Sequence, residues 1–208
     1  MAVTLKLKLK LKQQRSQERH RRILDAATRV FGDRGLAVAS LTDVARAAGV
    51  PLPSIYDYFA DKEDLIANVP ARNFEELYEI LDRQADEGSC RDRLHRLYTA
   101  TFSYIVGNPS WGRVFFLEIW PSVLAEHPTI RRSIDDYARR YIDLLEEGVA
   151  RREFRRDLDP HLAMSLLMGA MCHLTAVWLL YGKRFDLRMK GAAAFAALSP
   201  TFAKRRRS

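Results

Sequence analysis

Between Ser40 and Leu65 the chain has room only for short helices separated by tight turns, and this restricts the fold more than any other feature. Ser40 followed three residues later by Asp43 forms a capping box, in which each partner satisfies a backbone N–H left open by the first helical turn. Val44, Ala45 and Ala48 make the inner face of that helix, and Gly49 ends it. Val50-Pro51-Leu52-Pro53 tolerates a helix only from its first turn, where proline loses no partner. Ser54 to Phe59 continue this third helix, and Asp61 caps a fourth that opens at Lys62 with Leu65 and Ile66 inward. Upstream, Ile23, Ala26, Ala27, Val30 and Phe31 repeat at helical spacing from Gln17 to a C-cap at Gly35. Three helices with a glycine corner between the last two form a helix-turn-helix.

The remainder predicts a larger helical bundle. Ser89 and Asp92 make a second capping box, before an inner stripe of Leu94, Leu97, Tyr98, Thr101 and Ile105. Asn108-Pro109 breaks that helix, and an aromatic stretch runs from Trp111 to Trp120. Pro128 opens a long helix with Ile130, Ile134, Tyr137, Tyr141, Leu144 and Val149 inward, Asp159-Pro160 opens another, and the last spans about Leu187 to Leu198. Pro70 falls inside the fourth helix and predicts a kink. The expected fold class is all-α, about nine helices, with an N-terminal three-helix helix-turn-helix domain and a C-terminal helical bundle. The expected divisions are a flexible basic arm at 1–14, the helix-turn-helix at 15–65, the helical bundle domain at 66–200, and a basic tail at 201–208.

Charge is concentrated at the ends. Residues 1–22 carry +7 and Lys204 to Arg207 add +4, so with +8 overall the stretch 23–203 is −3. Basic termini on a mildly acidic body are drawn to polyanions, either nucleic acid or an anionic membrane. Leu5 to Lys12 alternates leucine with lysine, matching a strand or a strip lying on lipid, though an isolated strand is marginal and a mobile arm is the plainer reading. Leu162 to Tyr181 has no Asp, Glu, Lys or Arg over twenty residues, enough to cross a bilayer or to be buried on all sides of a bundle or dimer. A peripheral membrane protein using the Leu-Lys arm is thus the alternative, but it leaves the helix-turn-helix unexplained, and no membrane partner is expected. Cys90 and Cys172 lie far apart without metal-ligand spacing, which predicts a reduced, cytoplasmic chain with neither metal nor cofactor. With no phosphate loop, HExxH or GxSxG, an enzyme is not expected.

A recognition helix must enter the major groove while the preceding helix braces on the backbone. Ile55 and Phe59 face the core, which leaves Leu52, Pro53, Ser54, Tyr56, Asp57 and Tyr58 for DNA or solvent. Ser40 offers a hydroxyl and a helix N-terminus to phosphate, Lys62 suits a nearby phosphate, and Arg15 and Arg19 suit an adjacent minor groove. Residues 15–65 balance eight basic with eight acidic side chains, so a general electrostatic attraction depends on the arm.

The run Ile23-Leu24-Asp25-Ala26-Ala27, Val30-Phe31, Gly35, Ser40-Leu41-Thr42-Asp43-Val44-Ala45, Ala48-Gly49-Val50 and Ser54 to Leu65 resembles the DNA-binding domain of the TetR family. The resemblance implies a homodimeric regulator, usually a repressor, released from a double-stranded, palindromic DNA operator by a small-molecule effector. Thr42, Pro53, Ser54, Tyr56, Tyr58 and Lys62 match its DNA-contact positions, whereas Leu52 and Asp57 depart from its polar, basic or aromatic choices. Gly148, Phe154, Gly169-Ala170, Trp178, Gly182-Lys183 and Asp186-Leu187 are similar to a fatty-acid-responsive branch whose effectors are acyl-CoA thioesters. From the residues alone, Phe102, Phe116, Trp120, Met164, Met168, Met171 and Cys172 suit an adaptable apolar pocket for an apolar, amphipathic or aromatic effector. Gly169, Ala170, His173, Ala176 and Trp178 suit close approach of a second subunit, with the last two helices forming a four-helix interface with their mates.

Overall fold

The computed structural model describes residues 2–82 and 87–203, with side chains from Lys12 onward. Among them nine α-helices follow in order: α1 (Ala2–Arg34), α2 (Leu41–Ala48), α3 (Pro53–Tyr56), α4 (Lys62–Asp82), α5 (Cys90–Gly107), α6 (Pro109–Arg113), α7 (Pro128–Ala150), α8 (Pro160–Leu180) and α9 (Leu187–Leu198). A π-helical turn, Val114–Ile119, continues α6, and a short 3-10 turn, Val123–Glu126, precedes α7. The single extended contact among these residues is an isolated bridge between Phe154 and Ala203.

Most boundaries fall where side chains satisfy helix ends. Both capping boxes form, Ser40 with Asp43 and Ser89 with Asp92. Asp159 accepts from the N–H groups of His161 and Leu162, and Asp186 from those of Arg188 and Met189. Gly49 closes α2 at φ +62°, a left-handed conformation that L side chains rarely adopt. α4 continues through Pro70, whose missing N–H leaves the Ile66 carbonyl without its helical donor.

Two expectations need correction. α1 does not start at Gln17 but reaches back to Ala2, so residue 14 is not a boundary of secondary structure. Leucine, lysine, glutamine and arginine are all good helix formers, and the stretch from 2 to 31 lacks glycine and proline, so propensity overrides the strand-like alternation. On a helix, residues two apart lie about 200° around the axis, so this alternation collects neither residue type on one face. The tail boundary at 201 also moves. Phe202 is buried against Phe154, and its carbonyl accepts from the Arg155 N–H at 2.9 Å. Residues 204–207 lie outside the described ones. Within the single chain α8 keeps one side open, with Leu162, Leu166 and Leu180 57%, 46% and 66% exposed.

The core is continuous. Ile23, Ala27, Val44, Ile55, Phe59 and Leu65 close the head, and Leu94, Tyr98, Tyr141, Leu167 and Met171 fill the body. On α7, Leu145 rather than Leu144 is the buried member of its turn.

Candidate DNA-binding head and effector cavity

The head presents Thr42, Pro53, Tyr56 and Asp57 to solvent, with Tyr56 55% exposed although nothing in the fold requires an open aromatic there. Leu52 and Tyr58 pack partly on the core, and Ser54 is half-buried. Three assigned contact groups already have intramolecular partners. The Tyr58 and Ser16 hydroxyls share a hydrogen bond at 3.0 Å, Lys62 Nζ donates to the Leu36 carbonyl, and Ser40 Oγ is taken up by the capping box. Helix α1 therefore passes beside the turn that follows α3. His20 stacks on Phe59 at 5.2 Å between ring centres and tilts against Tyr58 at 5.5 Å. Arg15 and Arg19, both exposed, flank Ser16 on α1 and so lie at the recognition-helix end of the head. Ser16 and His20 carried no sequence signal, because their partners are about forty residues away.

Asp43 is the electrostatic centre of this corner. Hydrogen bonds from the Ser40 hydroxyl and backbone N–H, with Arg34 beside it, bring its carboxyl down to about 2. A carboxylate depressed in the folded state contributes stability above its ordinary value, and that contribution is lost as pH falls through the folded value. The α2 cap is thus expected to persist from pH 4 to 3 and to fail only near 2. Following the Asp43 carboxyl resonance during acid titration checks this, and a midpoint near 4 contradicts it.

The body contains a cavity of about 410 Å³ between α4, α5, α6 with its π turn, α7 and α8. Phe116, Trp120, Met164, Met168, Met171 and Cys172 line it, joined by Phe74, Trp111, Phe115 and Tyr137. Phe102 does not. It sits one residue past the cavity-lining Thr101, a helical step around α5, and packs edge-on to Tyr98 against Gly191 of α9. Phe74, Trp111 and Phe115 were missed as lining residues because their turns read equally well as plain core. One wall has polar chemistry: the Tyr137 hydroxyl hydrogen-bonds to Thr101 at 2.7 Å and Tyr141 at 2.8 Å. Burial raises both tyrosines above their ordinary range and pushes Cys172 up to about 11, so all three are protonated at neutral pH. Asp135 supplies the only charged side chain of the lining, and it is exposed.

The expected interface residues divide. Gly169 and His173 are exposed on α8, with Ala170 and Ala176 half-exposed beside Leu166. Trp178 instead faces inward, three residues after Thr175 and seven after Met171, under the Lys183 ammonium at 5.2 Å. It belongs to the subunit interior. Gly169 also reaches the cavity lining, which places the cavity next to the open face of α8.

A helix-turn-helix head on a helical body with an internal apolar cavity defines the class of ligand-responsive DNA-binding regulators. Residues 23–69 match the model for bacterial regulatory proteins of the tetR family, and residues 87–180 match the tetracyclin repressor-like C-terminal domain. The fatty acid metabolism regulator protein of Bacillus subtilis is 25% identical over 174 residues, covering 81% of this chain and 88% of that protein. The transcriptional repressor KstR2 of Mycolicibacterium smegmatis is 30% identical over 145 residues, covering 67% and 69%. The crystal structure of FadR from Bacillus subtilis in complex with stearoyl-CoA superposes with a TM-score of 0.77 at 23% identity, covering 87% of this chain and 98% of that one. The chain belongs to the TetR family.

Proposed function

We propose that this protein is a homodimeric repressor whose hold on a palindromic operator is released by an acyl thioester bound in the body cavity. The observation that carries the reading is the composition of the cavity: aromatic rings and methionines, no Lys, Arg or His in the lining, and one acid, Asp135. A volume of about 410 Å³ lies within the usual range for small-molecule sites. An acyl chain suits such walls, while a free carboxylate would enter without a counter-charge and pay for desolvation. A neutral thioester has no such penalty. The relatives named above support the same effector class, one being a fatty acid regulator and one structure holding stearoyl-CoA.

Dimerisation follows from the open side of α8. Burying the exposed half of Leu162, Leu166 and Leu180 against a mate contributes about 1–2 kcal/mol each, which favours association. Exposed Met189, Ala193 and Ala197 of α9 extend the same surface. Two heads then face successive major grooves about 34–36 Å apart. Pro53, Tyr56, Thr42 and Asp57 are the open candidates for base and backbone contact, while Tyr58 and Lys62 fix the geometry of the head. Arg15 and Arg19 supply cations beside it. The work is done where the chromosome is, in the cytoplasm.

Selection of duplexes from a random library by the full-length protein, followed by titration of the recovered site, tests this reading. A palindrome is expected, with operator affinity falling at least about tenfold on saturating stearoyl-CoA and unchanged by stearate. Release by stearate as readily as by the thioester, or by neither, refutes the effector assignment.

A further inference from the structure

The segment that walls the cavity is also fastened to the DNA-binding head. Trp111, Phe115 and Phe116 belong to α6 and its π turn, and all three line the cavity. The same stretch meets α1 and its following loop at two places. Ser110 lies against Gly32 so closely that a methyl on the glycine would stand 2.5 Å from Ser110 Cβ and 2.6 Å from its Cα. Eight residues on, Glu118 Oε2 accepts a hydrogen bond from the Leu36 backbone N–H at 2.8 Å. The Leu36 carbonyl in turn accepts from Lys62, the first residue of α4. Leu36 is thus clasped between the cavity wall and the start of α4, in the short link that leads into α2.

The placement is specific to this turn. Phe116 lines the cavity and Glu118, two residues later, does not, so the two positions serve different sides of one helical turn. A π turn departs from the regular hydrogen-bond ladder, and such turns recur at functional sites. A carboxylate accepting from a backbone N–H makes a charge-assisted bond, roughly twice as strong as a neutral one. A ligand that shifts Phe115 and Phe116 therefore has a connection to the link before α2 that runs through Glu118 and Leu36, in addition to the ring contacts of Trp111 and Phe115 with Phe74 on α4.

We propose that Glu118 is the positioning residue that transmits cavity occupancy to the head, by holding Leu36 in register with the π turn. It touches neither DNA nor effector. The proposal rests on the effector-responsive reading for the source of the displacement, and its test is chosen to be independent of effector identity.

The test is a double-mutant cycle on the full-length protein, read as affinity for the selected duplex without any effector. Phe116→Ala perturbs the cavity wall directly. In the Glu118 background it is expected to change operator affinity about fivefold, and in Glu118→Ala or the longer Glu118→Met by less than about twofold. Glu118→Gln, whose amide oxygen accepts from the same N–H, is expected to restore most of the effect. Thermal unfolding identifies the variants that remain folded, and Met serves if Ala does not. Equal shifts in both backgrounds, or no shift on Phe116→Ala with Glu118 present, overturn the proposal. Stearoyl-CoA is added to the wild type in a separate arm. Failure to release DNA there removes the effector assignment and leaves the cycle to judge Glu118.

Discussion

Leu166→Glu is expected to turn the dimer into a monomer and to weaken operator binding by about 100-fold or more. The leucine lies 46% exposed on the open face of α8, between Leu162 and Gly169, where a mate would cover it. Placing a carboxylate there costs nothing in the free subunit, since the position is already wet. In the dimer the same group becomes a buried charge without a partner, at a cost of several kcal/mol. Two linked heads gain roughly 10²–10⁴ in avidity over one, and that factor is what the substitution removes. Sedimentation and duplex titration read the two consequences separately. A variant that stays dimeric, or a monomer that binds its palindrome at full strength, contradicts this account of the surface.

Gly32→Ala is expected to destabilise the protein by about 1–3 kcal/mol, lowering Tm by roughly 2–12 °C for a chain of this size. Alanine is normally the better helix former by about 1 kcal/mol, so the sign opposes intrinsic preference. The cause is contact. The new methyl would meet Ser110 Cβ, Cα and carbonyl oxygen, all within 2.6 Å, and a backbone cannot step aside as a side-chain tip can. α1 and α6 would have to separate, taking the Glu118–Leu36 bond with them. Gly107→Ala is the control, since a methyl there meets nothing within 4 Å and should leave Tm unchanged or slightly raised. A Gly32→Ala protein as stable as the wild type would mean that the two helices are not held as closely as described.

Much of this architecture was legible because caps are local. Ser40 with Asp43, Ser89 with Asp92, Pro128 and Asp159-Pro160 each mark a boundary within three or four residues, and the helices begin where they indicate. Family membership was legible for the same reason, its motif being one nearly continuous run. Helix α1 was misread where periodicity and propensity disagree, as alternation says strand while leucine and lysine favour helix. Phe102 and Trp178 were misassigned for a rotational reason: each is apolar on an apolar helix, and one helical step separates a cavity from a core or an interface from an interior. The Glu118–Leu36 bond spans 82 positions, and nothing in either local sequence announces the other. Cavity residues such as Phe74 and Phe115 looked like core because a pocket wall and a core use the same side chains until the space between them is seen.

Phe102 packs against Gly191, where a side chain on the glycine would collide with the ring. With no side chain between them, the ring seats α5 directly on α9. Its neighbour Thr101 borders the cavity, while Met189, Ala193 and Ala197 on α9 are exposed. A displacement of the cavity wall at Thr101 therefore has a short packed path, through one ring, to α9 and the outer surface on which the proposed dimer would rest.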